Sequence, residues 1–206
     1  MKERQARSSG FSLVELSAAL AVTLVIGVAV MGLVDVSQSG ARTVSTETHS
    51  SRALRSAAEH VAGDLRQTAQ PQLSITTLPD QNHTVTLQVP VGVSGGVVTW
   101  GVYDPVLGTD PASRTKAGWS LRYTVRTVLL DGVGLDRQLV RQILNTGGQV
   151  RHERVLLRHV EEGYAAQPGF RVEQNGAMWR VTISARTGTG TGPVHSLAFD
   201  VALRNE

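Results

Sequence analysis

The sequence predicts an α+β protein in which the second half of a long N-terminal helix packs on a mainly antiparallel β-sheet body. Three observations carry that expectation. An uncharged apolar run lies near the N-terminus, apolar residues then recur at helical spacing, and beyond Pro71 the pattern changes to alternation broken by glycine-rich turns. With 206 residues, 41% of them hydrophobic, there is material for one ordinary core plus an appendage, which argues against disorder throughout. Cysteine is absent, so neither a disulfide framework nor a thiolate metal site is available. That absence leaves the compartment open, because a domain of this size folds by burial alone.

The first element is the apolar run. No charged residue lies between Leu16 and Val34, and only Ser17 and Thr23 are polar. As a helix this stretch spans about 28 Å, close to the roughly 30 Å of a bilayer's hydrocarbon layer. Lys2, Arg4 and Arg7 precede it, Asp35 follows it, and the next cation is Arg42. The positive-inside bias therefore keeps the N-terminus cytoplasmic and sends the body outward. A secretory signal is the competing reading; its apolar core runs to about 7 to 15 residues and ends at a small-residue cleavage site. This run is longer, carries Glu15 at its front and continues into a helical pattern. The net charge of +3 falls to +1 once the residues before Gly10 are set aside, so the global electrostatic case for nucleic acid is weak.

The helix continues past the run. Leu54, Ala57, Ala58, Val61 and Leu65 recur at three- and four-residue steps, with Arg52, Arg55, Glu59 and Arg66 around the other faces. Pro71 ends it, since the residue before a proline is driven out of helical geometry. A helix from Phe11 to about Ala69 is near 90 Å long at 1.5 Å per residue. Gly27, Gly32, Gly40 and Gly63 are its soft points, each about 1 kcal/mol worse than alanine.

Strands follow. "HTVTLQVPV" and "VVTWGVY" read as two strands joined by the turn "GVSGG". "WSLRYTVRTVLL" and "RQLVRQIL" read as two more, separated by "DGVGLD". "FRVEQ" and "AMWRVTISAR" flank Asn175-Gly176, which suits a type I′ hairpin turn. At the end, Leu197, Phe199, Val201 and Leu203 alternate with Ala198, Asp200, Ala202 and Arg204, a half-buried strand. "VLLRHVEEGY" fits either a short helix or a strand.

Several motifs raise chemistry that their context opposes. Gly92-Val93-Ser94-Gly95-Gly96 matches the G-x-S-x-G nucleophile elbow and makes Ser94 the candidate of a secreted hydrolase, but a strand pattern follows where the elbow needs a helix. "TGTGTG", around Gly188 to Gly192, lacks the lysine of a phosphate loop and reads as a connection between the last two strands. The six histidines form no H-E-x-x-H, and His152 and His159 share a face only on a helix. Asp104 and Asp110 could contribute to a calcium loop, although prolines follow both as in ordinary turns. Arg114, Lys116, Arg122, Arg126, Arg137, Arg141, Arg151, Arg154 and Arg158 make the middle locally basic, with Tyr123 near enough to suggest base stacking. Their alternation with apolar residues instead fits a solvated strand face. No metal, no cofactor, no small-molecule substrate and no catalytic constellation is expected.

The heptapeptide "GFSLVEL" resembles the processing site of type IV pilins and type II secretion pseudopilins: a short basic leader ending in glycine, then phenylalanine, then an apolar stretch with glutamate at the fifth place. The resemblance implies a membrane-embedded prepilin peptidase that cuts after Gly10 and methylates the new amino terminus at Phe11. It gives Glu15 a partner, the N-terminal amine of a neighbouring subunit, where an acid within a membrane otherwise costs roughly 2.5 to 3.5 kcal/mol. "RALRSAAEHVAGDLRQTA", "LDRQLVRQI", "LLRHVE" and the closing "VALRN" are similar to minor pilins of the W type and pseudopilins of the J type. The implied organisation is a leader at 1–10, a transmembrane and fibre-core helix at 11–35, its amphipathic continuation at 36–70 and a β-rich head at 71–206. The implied partners are the peptidase, the inner membrane, the other minor subunits and the major pilin; the implied role is to initiate or cap a pilus or pseudopilus. A single-pass membrane protein with an outward ligand- or DNA-binding β domain is the alternative.

Overall fold

The computed structural model describes residues 12–130, 134–162, 168–187 and 192–204. It is an α+β protein that divides into two compact units, Met1–Ser45 and Thr46–Glu206. Helix α1 (Leu13–Gln67) supplies the described part of the first unit and the opening element of the second.

In the first unit, Leu13–Gln38 has a mean hydropathy of 2.4 and is exposed throughout. It is long and apolar enough to cross a membrane, a test that a signal sequence near an N-terminus also passes. Its two central hydroxyls are satisfied locally, that of Ser17 donating to the Val14 carbonyl (2.9 Å) and that of Thr23 to the Ala19 carbonyl (2.8 Å).

In the second unit, α1 buries the stripe Leu54, Ala57, Ala58, Val61, Ala62 and Leu65 and leaves Arg52, Arg55, Glu59 and Arg66 exposed, as its spacing predicts. The helix stops at Gln67, and Pro71 sits inside a 3₁₀ turn at Gln70–Gln72, where a missing N–H costs nothing. Eleven strands follow among the described residues: β1 (Leu73–Thr77), β2 (His83–Leu87), β3 (Val89–Ser94), β4 (Val97–Tyr103), β5 (Thr115–Ala117), β6 (Ser120–Leu130), β7 (Gly134–Leu144), β8 (Val150–Leu157), β9 (Phe170–Asn175), β10 (Met178–Arg186) and β11 (Val194–Val201). A four-residue helix, α2 (Pro111–Arg114), precedes β5. All pairings are antiparallel, in sheets of order β1-β2-β6-β7-β8, β3-β4-β5 and β11-β10-β9. The α1 stripe joins Val85, Leu121, Tyr123, Ile143, Phe170 and Ile183 in one hydrophobic core.

Three expectations are corrected. "HTVTLQVPV" is two strands in different sheets, β2 and β3, although Val85, Leu87 and Val89 keep a single buried alternation. The break falls at Gln88, whose N–H donates to the Gln72 carbonyl (3.2 Å), whose carbonyl accepts from the Thr68 hydroxyl and whose amide donates to the Trp119 carbonyl (3.0 Å). The first continues the β1–β2 register one residue past Leu73↔Leu87, and the bonds with Thr68 and Trp119 hold Gln88 where the chain changes sheets. The β9–β10 hairpin closes on Asn175↔Met178, so Gly176 and Ala177 form the loop in place of Asn175-Gly176. Only Gly176 of the two has positive φ (+63°), which is the pattern of a type II′ turn. The described part of "VLLRHVEEGY", 155–162, holds the end of β8 and a bridge from Val160 to Ala185, and β7 begins inside "DGVGLD"; residues 163–164 and 131–133 of these stretches lie outside the described residues.

Candidate functional site

At the N-terminus, Gly10 and Phe11 lie outside the described residues. Glu15 is within them. Its carboxylate Oε2 accepts the Ser12 backbone N–H at 3.0 Å, while the Glu15 N–H donates to Ser12 Oγ at 3.2 Å. This reciprocal pair is a capping box: it satisfies two of the amide donors that a helix start leaves orphaned and places a negative charge at the positive end of the dipole. Sequence reasoning weighed Glu15 only as a membrane acid. The signal that it missed is Ser-x-x-Glu directly before an apolar run.

A second cluster joins α1 to the five-stranded sheet. Arg141 on β7 donates from Nε to Asp64 Oδ2 (3.0 Å) and from Nη1 to Asp104, and Tyr123 on β6 donates its hydroxyl to the same Asp64 oxygen (2.5 Å). Little of these side chains reaches water, about 12% for Arg141 and 0% for the Tyr123 residue. Burial is the largest single influence and works against the Arg141 charge, but Asp64, Tyr123 and Asp104 together outweigh it and raise the pKa. Burial, then the Asp64 charge, pushes the Tyr123 phenol well above its ordinary range. Above the cluster lies a groove of about 780 Å³ whose walls include His60, His152 and Arg154. One guanidinium spanning two carboxylates and a phenol is a bracket between helix and sheet.

The structure accounts for two motifs that the sequence raises and its context opposes. Tyr123 is buried in the core and presents no face for a base to stack on. Asp104 is taken up by Arg141 and by the Val106 N–H (2.9 Å), and Asp110 caps α2 through a reciprocal box with Ser113, so each carboxylate already serves protein donors. The Ser113 N–H also lowers the Asp110 pKa. Much of the basic excess is likewise paired: Arg126 with Glu153, Arg137 with Glu162, while Arg122 donates to Gln142 and Arg114 to the Gly108 carbonyl. A phosphate backbone needs uncommitted cations, and paired ones serve it poorly.

Ser94 ends β3 and pairs with Val97, with Gly95 and Gly96 both at positive φ between them. The element that follows is β4, so strand, turn and strand stand where a nucleophile elbow has strand, turn and helix. His152 lies on β8 and His159 just beyond it, where the ring Nδ1 is 3.1 Å from the buried Asp136 carboxylate. No helical face joins these two histidines. Among the described residues no three histidine, aspartate or glutamate side chains gather as a metal-binding group. Most of "TGTGTG", residues 188–191, lies outside the described residues. Compared with known proteins, the chain matches no family model, no curated protein and no solved structure.

Proposed function

We propose that this chain is a minor pilin or minor pseudopilin subunit. In this reading it is inserted in the inner membrane with its N-terminus in the cytoplasm, cut after Gly10 by a prepilin peptidase, methylated at Phe11, and joined to related subunits that initiate or cap a pilus or pseudopilus. The observation that carries the reading is one of continuity. "GFSLVEL" leads directly into an exposed apolar segment, Leu13–Gln38, and the same helix then becomes a buried stripe of an antiparallel body. A secretory signal has no need to be part of an element that the folded body uses. The W/J-type likeness of the later segments supports a minor subunit over a major one.

Mass spectrometry of the mature N-terminus tests this. N-methylated Phe11 is the expected result. An intact Met1, as in a single-pass protein that is never cut, or a cut near residue 37, as in a secreted protein, overturns it.

A further inference from the structure

A groove follows the outer edge of β11. Within its sheet this strand is bonded to β10 alone, so the backbone groups along its other edge have no ladder partner among the described residues. Two depressions of about 360 and 310 Å³ adjoin there and share Arg55. The first reaches Arg52 and His195, the second Ala58, Ala62, Leu197 and Phe199. Asp200, on the opposite face of β11 from Leu197 and Phe199, also lines the second depression. Residues of both faces meet one groove only along a strand's edge.

The usual protections of an edge are missing from "VHSLAFDV". It has no lysine, no proline and no bulge, its register with β10 being unbroken from Val194 to Val201. Its single charge, Asp200, is held by Arg180 through two bonds of 2.9 and 3.0 Å. Across the groove, Arg52, Arg55 and Arg66 are exposed on α1, and none enters an ion pair among the described residues; Glu47 and Glu59 are the acids on the same walls. Arg52 and Arg66 stand toward the two ends of the groove, Arg55 where the depressions meet, and the apolar contacts lie between Arg55 and Arg66. His195 adds a buried Nε2 that has no hydrogen-bond partner.

We propose that this groove binds an extended segment of another polypeptide, added to β11 as a fourth strand, with carboxylates at its two ends and apolar side chains between them. Backbone bonds to the β11 edge supply the attraction, and the arginines select the charge. The spacing agrees: Arg52 and Arg66 are about 21 Å apart along a helix, and the outer residues of a seven-residue strand are about 20 Å apart. The inference does not depend on the pilus reading.

The test uses the full-length chain in detergent micelles and the fluorescein-labelled peptide Glu-Thr-Val-Thr-Val-Thr-Glu. Saturable binding is expected by fluorescence anisotropy, with slower hydrogen exchange at residues 194–201. The counterpart with lysine at both ends should bind at least tenfold more weakly to the wild-type chain. The triple charge reversal Arg52→Glu, Arg55→Glu, Arg66→Glu should lose at least tenfold for the acidic peptide. No saturable binding, equal binding of the lysine peptide, or protection confined to another strand overturns the proposal.

Discussion

Arg141 occupies an inward position of β7, on the same strand face as Leu139 and Ile143, and stays charged there because Asp64 and Asp104 meet it. Reading β7 alone leaves this arginine among the surface cations, since the acid that draws it inward is on a helix 77 residues away in sequence. Tyr123 shares that oxygen and gives the cluster a measurable pH signature. Its folded pKa is raised above the ordinary 10.0 of the unfolded chain. The resulting stability is therefore complete below about pH 10 and lost as pH climbs toward the folded value. Urea midpoints between about pH 8 and 11 should fall more steeply for wild type than for Tyr123→Phe, which itself loses about 1 kcal/mol at neutral pH with its hydrogen bond. Parallel curves would refute the assignment. Glu15 calls for a finer substitution than alanine, because it both caps the helix and carries charge. Glu15→Gln keeps a cap acceptor and removes the charge. Under the proposed function, both Glu15→Ala and Glu15→Gln are still processed and both fail to assemble into fibres; assembly restored by glutamine would reduce Glu15 to a cap.

Helix α1 belongs to two environments, and its periodicity shows where one gives way to the other. The apolar turns before Gln38 carry no stripe because every side is hydrophobic, whereas the turns after Leu54 confine burial to one side. Leu65 is fully buried at the end of that stripe, so Leu65→Ala should destabilise the body by about 3 kcal/mol, through lost transfer energy and a residual cavity. Denaturant unfolding followed by tryptophan fluorescence would measure it, and a loss below about 1 kcal/mol would mean that the helix end is not part of the cooperative core. The strands divide the same way between legible and illegible. The β9–β10 hairpin was legible as a hairpin because a glycine sits between two alternating runs. Its turn type was not, because one residue of register decides which pair forms the loop.

At the scale of the whole molecule, the exposed Leu13–Gln38 segment dictates what the chain does in water. So many uncovered apolar side chains need lipid, detergent or other helices around them. Expressed in a host that lacks a prepilin peptidase, the chain should remain in the membrane pellet after alkaline carbonate extraction; quantitative release as a shorter soluble form would point to a cleaved signal. The sequence by itself determined the apolar span, the helix stripe and the α+β class, because each is a periodicity that neighbouring residues set among themselves. Even the Ser12–Glu15 cap was there to be read. Tertiary structure alone decided the division of one alternating run between two sheets at Gln88, the inward Arg141, the buried Tyr123 and the open edge of β11. Each of these depends on which distant residue reaches a given backbone group or charge, and local spacing holds no record of that.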